Sequence, residues 1–393
     1  MDVRLVRVKD ISTRDEQAWR ELVARALEPN PFVEPDFLVL CVRHFESYAD
    51  TTLVVAEDET AFRGVFPVVS FENPRIPPRM VASTGGRPRA GRLLDTPLLD
   101  SSCADQAMGA LLDGLHGAVK ERSWPGIVAM DMVGIDGPVA ECLRRMCAER
   151  RFPIFTKQPW ERATVTRAGG WANPLDGDRR REIGRRQRLL AKESGEQVTL
   201  VDRTSDPSAL DDFLKMEMAG WKGGMGGQAF GRSPETTAWF GEWHRQWVAT
   251  GRLRVLALEV GQTPVAMQYF VRAGEGLFCF RIAYDEAFAK YKPGAMLLSL
   301  ALNHLRDNTD AAWIDSTSDR NNQFFLGMLP ERRTLARLTI GVGGIFDRRL
   351  VAALPILTKA VALRRQMRHR WARKKIGSSP LVRAKSLRAT PSR

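Results

Sequence analysis

Between residues 252 and 284 the chain offers three consecutive strand-like segments, RLRVLALEV, TPVAMQYFVR and GLFCFRIAY. The turns between them, VGQTP and AGEG, are short enough to join only antiparallel neighbours, so the three form a meander. A loop, DEAFAKYKPG, then leads into the helix AMLLSLALNHLRD, the strand AAWIDS, a short helix around NQFFLGM and the strand RTLARLTIG. Three antiparallel strands followed by helix, strand, helix and strand predict a mixed, mostly antiparallel sheet flanked by helices, an α/β fold.

The first 158 residues carry a similar alternation. VRLVRV reads as a strand, and Thr13 with Glu16 forms a capping-box pattern before AWRELVARAL. NPFVEPDF is a turn followed by a short helix through His44. TTLVVAE and FRGVFPVVSF read as paired strands, SCADQAMGALLDGLHGAVKE as an amphipathic helix, GIVAMDMV as a buried strand and PVAECLRRMCAER as a helix. AGGWANPLDGD (168–178) reads as a connection, followed by the helix RRREIGRRQRLLAKE with a basic face. The arginines of that run, Arg179 to Arg181, Arg185, Arg186 and Arg188, read either as a solvated face or as a contact for an anionic ligand. The expected division is 1–158, 159–347 and a tail, 348–393, helical at first and disordered beyond.

Charge separates the tail from the rest. Of the 59 Lys and Arg residues, 14 follow Asp347 and no acidic residue does, which leaves 45 basic against 46 acidic residues in the body. A nucleic-acid-binding surface over the body is therefore not expected, and no DNA partner. The tail mixes apolar and basic residues, a composition suited to an anionic membrane surface or to docking on a partner. No stretch reaches the roughly 18–20 apolar residues of a membrane span, and the N-terminus has no apolar core segment, so a cytoplasmic location is expected, peripheral at the inner membrane face if the tail engages lipid. Five cysteines without a C-x-x-C pair and scattered histidines predict neither a disulfide framework nor a metal site.

The junction at 279–298 carries the sharpest chemistry. Pro293 and Gly294 fall where the first helical amides lie free, and Gly294 permits close backbone approach. Free amides and the helix dipole suit an anion such as a pyrophosphate, with Lys290 and Lys292 adding positive charge. An ordinary loop with Pro at a helix start is the plainer reading. Glu217, Trp221 and Lys222 precede a Gly-rich loop, GGMGG, which reads as an acceptor wall with a movable cover or as a helix C-cap. Asp315 ends the strand AAWID, where a carboxylate could take a proton or cap a helix.

The segment AYDEAFAKYKPGAMLL after the three meander strands resembles the acyl-CoA pyrophosphate loop of the GNAT (Gcn5-related N-acetyltransferase) superfamily. It is most similar to the branch of CelD/BcsL-type cellulose-biosynthesis acetyltransferases, itself similar to FemAB transferases. NPFVEPDF resembles that branch's NPF segment, FLKMEMAGWKGGMGGQAF its WKG segment, and WIDSTS its later strand with an acidic residue. These matches span about residues 30–340. The resemblance implies tandem GNAT-like halves and acyl-CoA, acetyl-CoA foremost, as donor. It implies a donor site at Arg281, Ala283, Lys290, Tyr291, Lys292, Pro293, Gly294, Ala295 and Asn321. Trp221, Lys222, Tyr284 and Asp285 would face the acceptor, with Asp315 and Glu217 as the carboxylates that assist proton removal. The acceptor implied is a small molecule or an envelope sugar or polysaccharide precursor, acylated on nitrogen or oxygen. The loop here, Lys290-Tyr-Lys-Pro-Gly294-Ala295, has fewer glycines than the superfamily's Arg/Gln-x-x-Gly-x-Gly/Ala. The first half has no comparable loop and is expected to bind no CoA. Two other functions stay open: a FemAB-like transferase using aminoacyl-tRNA, and a binding module without turnover.

Overall fold

The computed structural model describes residues 1–71, 80–83, 94–121, 124–172, 174–225, 227–320 and 322–377. The first half contains β1 (Asp2–Arg7), α1 (Thr13–Ala24), α2 (Pro35–His44), β2 (Thr52–Glu57), β3 (Phe62–Phe71), β4 (Met80–Ser83), β5 (Leu98–Leu99), α3 (Ala104–Lys120), β6 (Ile127–Gly134), α4 (Pro138–Glu149) and β7 (Ile154–Thr166). The second contains α5 (Gly177–Ser194), β8 (Val198–Asp202), α6 (Ala209–Ala219), α7 (Pro234–Ala249), β9 (Leu253–Val260), β10 (Thr263–Ala273), β11 (Gly276–Tyr284), α8 (Pro293–Asn308), β12 (Trp313–Asp315), α9 (Gln323–Met328) and β13 (Glu331–Gly341), followed by α10 (Ile345–Gly377). Apart from β5 and α5, both halves run strand, helix, helix, three strands, helix, strand, helix, strand.

The strands form one continuous sheet in the order β1-β2-β3-β4-β6-β13-β7-β12-β11-β10-β9-β8, with β5 against β3. Among the described residues, only β4 with β6 and β11 with β12 pair in parallel; the remaining pairs are antiparallel. Each half gives its last strand to the other. β7 lies against β12 of the second half, β13 lies against β6 of the first, and the two exchanged strands pair with each other at the centre. β7 spans the expected division after residue 158.

Helix ends follow local chemistry. At α1 the capping hydroxyl is that of Ser12, which accepts the Asp15 amide at 3.1 Å. Thr13 is the first helical residue, so the expected capping box is displaced by one position. The NPF segment ties the first half to the second. Asn30 accepts the Phe32 amide and donates to the Thr96 carbonyl at 2.7 Å. Phe32 thereby packs on Phe278 and Phe280 of β11. Behind β9–β11, Trp239, Trp243 and Trp247 of α7 join Phe37 and Phe230 in one buried cluster drawn from both halves. A second cluster lies under α8 and β12, including Leu297, Leu302 and Ile314. This packing makes β11 a strand supported on both faces.

Candidate functional site

β11 and β12 pair only from Gly276↔Trp313 to Phe278↔Asp315. β11 then continues to Tyr284 without that neighbour, and its register against β10 shifts so that Phe280 is an extra, bulged residue. The two strands part there, and a cavity of about 690 Å³ opens between the free part of β11 and residues 316–319. Gly294 at the start of α8 and Gly220 to Lys222 beyond α6 complete its lining.

On the α6 side Glu217 is 1% exposed, yet it is well satisfied. Its Oε1 accepts from Arg281 Nε at 2.6 Å, and its Oε2 accepts from the Phe230 amide at 2.8 Å. Lys222 Nζ lies 3.5 Å from the same carboxylate and donates to the Ile282 carbonyl on β11. Burial, with Arg281 close by, lowers the Lys222 ammonium to about 8. Arg281 also donates to the Gln228 carbonyl and lies over the Phe230 ring. Gln268 of β10 reaches the cavity from the sheet. It is fully buried, and its amide has no nitrogen or oxygen partner, only a hydrogen-bonding contact with sulfur. It adjoins the Cys279 thiol, which burial pushes well up and which is a weak donor.

The opposite wall is a polar turn, Ser316-Thr317-Ser318. Thr317 holds φ at 47°, a costly conformation for a β-branched residue. Its hydroxyl donates to the Cys279 carbonyl across the gap between the strands, and its amide donates to Asp315 Oδ1 at 2.6 Å. Asp315 itself is fully buried and does not line the cavity. Its Oδ2 accepts from Arg333 at 3.0 Å, Arg333 continues to Glu28 at 2.9 Å, and Arg162 Nη1 stands 3.7 Å from Oδ1. Arg162 also donates from Nε to the Ser318 carbonyl at 3.1 Å. Both arginines come from the exchanged strands, Arg162 from β7 and Arg333 from β13.

The loop before α8 is a turn of 3-10 helix from Glu286 to Tyr291, capped by Asp285, whose Oδ1 accepts the Ala287 amide at 2.9 Å. Lys292 takes the left-handed conformation, φ 56°, and α8 begins at Pro293. The loop's cations face α5 carboxylates: Lys290 donates to Glu193 at 2.7 Å and Lys292 to Glu182 at 2.9 Å. Tyr291 donates its hydroxyl to Glu193, and Arg186 donates to the Lys290 carbonyl. Of the residues singled out in the sequence, Glu217, Trp221, Lys222, Arg281, Ala283, Tyr284 and Gly294 line the cavity, whereas Lys290, Tyr291, Lys292, Pro293, Ala295, Asp285 and Asp315 do not. Asn321 lies outside the described residues. Its neighbour Asn322 lines the cavity and caps α9, accepting the Phe325 amide at 3.4 Å. Sequence reasoning passed over Gln268, Phe280 and Ser316 to Ser318. The available signal was a single polar residue within the apolar run VAMQYF.

The cavity between parting parallel strands, beside a Pro-Gly helix start, lies within a segment of known type. Residues 177–319 match the family model of the acetyltransferase (GNAT) domain. The first half repeats the element order of this GNAT segment, so the fold is one of tandem GNAT-like halves. No curated protein matches the chain. Solved structures of similar fold include FemX, at 10% identity and TM-score 0.57 over 86% of this chain and 97% of that one. A conserved protein of unknown function from Bacteroides thetaiotaomicron VPI-5482 aligns at 12% identity and TM-score 0.54 over 84% of this chain and 98% of that one. The C-terminal domain of a putative lysylphosphatidylglycerol synthetase from Agrobacterium fabrum aligns at 12% and 0.51, over 86% and 95%. At these identities the likeness is one of fold.

Proposed function

We propose that the chain is an acyltransferase that moves an acyl group from acyl-CoA directly to an amine or hydroxyl held in the cavity. The observation that carries this reading is the separation of β11 from β12 at Phe278 and Asp315, where the cavity opens with the α8 N-terminus on one side and Glu217, Lys222 and Arg281 on the other. A thioester lying along the unpaired edge of β11 would meet main-chain amides able to polarise its carbonyl oxygen. The residues present fit such a donor. Gly294 leaves the helix start open to the cavity, and the pairs holding Lys290 and Lys292 are exposed, so their carboxylates can be exchanged for phosphate at small cost.

In this reading the acceptor atom attacks the thioester carbonyl, the C–S bond breaks and the thiol leaves with one proton. The proton lost by the acceptor passes to the neutral form of Lys222, whose amine is held by Ile282 and Glu217, and the ammonium so formed returns that same proton to the departing thiolate sulfur. Glu217 positions Lys222 and Arg281, and Asp315 positions the 316–318 turn through its amide and arginine contacts. Gln268 offers a polar group of the acceptor an amide whose one polar neighbour is the weakly bonding Cys279 thiol. The resemblance to CelD-type acetyltransferases supports acetyl-CoA as donor and an envelope sugar or polysaccharide precursor as acceptor.

A second reading, aminoacyl transfer from tRNA as in FemAB transferases, is favoured by the engagement of both loop lysines with α5 and by the FemX fold. Thiol release from acetyl-CoA with a panel of amines and amino sugars, run beside transfer from labelled aminoacyl-tRNA, separates the two. Acceptor-dependent thiol release supports the first; transfer from tRNA alone overturns it.

A further inference from the structure

The longest helix of the chain, α10, has two apolar faces. Val351, 1% exposed, docks it on the sheet, where it packs along β13, β7 and β6. Ile345, Phe346, Ile356 and Leu357 are 70%, 69%, 73% and 47% exposed. Ile345 and Ile356, like Phe346 and Leu357, are about three helical turns apart and so share one face. Val351 falls on the opposite side of the helix. A helix already docked on its protein gains nothing from such an outer face in water, and exposed residues of this size in register mark a contact surface.

Charge says what covers it. Arg349, Lys359 and Arg364 are exposed on the same helix, and no acidic residue follows Asp347 while 14 basic residues do. Pairing α10 with its copy would bring two such segments together without a counter-charge, whereas an anionic lipid surface accepts both the apolar residues and the cations. We infer that the outer face of α10 is a membrane-surface helix that seats the protein on anionic lipid. Among the described residues no helix is long and apolar enough to cross a membrane, so the contact is one of lying on the surface. The inference stands independently of the acyl donor and would bring the cavity to an acceptor carried on a lipid.

The test uses the full chain, with co-sedimentation on phosphatidylglycerol–phosphatidylcholine vesicles against phosphatidylcholine alone. The double substitution Ile356→Asp, Leu357→Asp changes only exposed positions and should leave the melting transition in place. Salt-sensitive binding to the anionic vesicles, reduced at least about tenfold in the variant, is the expected result. Absence of binding at low salt, equal binding to both vesicles, or binding untouched by the variant overturns it. So does a dimer in sedimentation velocity that the same variant dissociates, because a second copy would then own the face.

Discussion

Asp315 Oδ1 accepts the main-chain amide of Thr317 at 2.6 Å, and Thr317 stands at φ 47° with its hydroxyl on the Cys279 carbonyl. The carboxylate thus reaches the cavity through the backbone it bends. Strain at Thr317 persists because Asp315, Arg162 and Arg333 over-determine the turn. Replacing Asp315 by Asn should weaken the compensation of two guanidinium groups, Arg162 fully buried and Arg333 partly so. We expect a loss of about 3 kcal/mol, in the range for breaking a buried pair, read as a lower urea midpoint. An unchanged midpoint would show that the arginines do not depend on Asp315.

Lys222 sets a pH dependence. Its ammonium is lowered to about 8, and the neutral amine is the form that takes a proton, so kcat/KM should climb with pH and level off above about 8. Glu217 favours the charged form of Lys222, so Glu217→Gln should move the inflection to lower pH as well as lowering kcat. Lys222→Met should abolish the inflection. A Lys222→Met profile with the same inflection as the parent assigns the titration to another group.

At Gly294 an added Cβ would come 3.5 Å from Ile282 Cδ1, an ordinary contact. Gly294→Val should therefore fold, while its branches fill the cavity wall at the start of α8. Calorimetric CoA affinity should fall by about tenfold or more, equivalent to about 1.4 kcal/mol. Equal affinity in a folded variant would place the donor elsewhere.

Gln268 separates stability from activity. With its amide buried and held only by a weak contact with the Cys279 thiol, Gln268→Leu should leave the protein as stable or more stable, by up to about 1 kcal/mol, because a poorly compensated desolvated group is removed. The same change should raise KM for the acceptor. A variant that loses stability while keeping KM would show that the amide serves the fold.

Much of the second half was legible because its signals are local. The three meander strands and the helix from Pro293 appear where their alternation and their Pro-Gly start put them. β7 was not read as a strand, because Lys157, Gln158, Pro159, Glu161 and Arg162 break the apolar alternation. Lys157, Gln158, Pro159 and Glu161 are exposed to solvent, and only Arg162 turns inward, against Asp315. The resemblance placed Glu217, Lys222 and Arg281 at one site in three separate roles, whereas the ion pair that joins Glu217 to Arg281 links residues too distant in sequence for spacing to show. The pairing of Lys290 and Lys292 with Glu193 and Glu182 has no local signature at all.

The exchange of final strands also fixes when the molecule can become itself. As the ribosome releases the chain, β6 emerges long before Glu331–Gly341, the strand that covers its edge. A nascent first half therefore carries an open strand edge through about half of translation, from Gly134 to Glu331, the kind of edge on which chains aggregate or pair with the wrong neighbour. Closure of both halves waits for the same late segment, so they reach their finished state together or not at all.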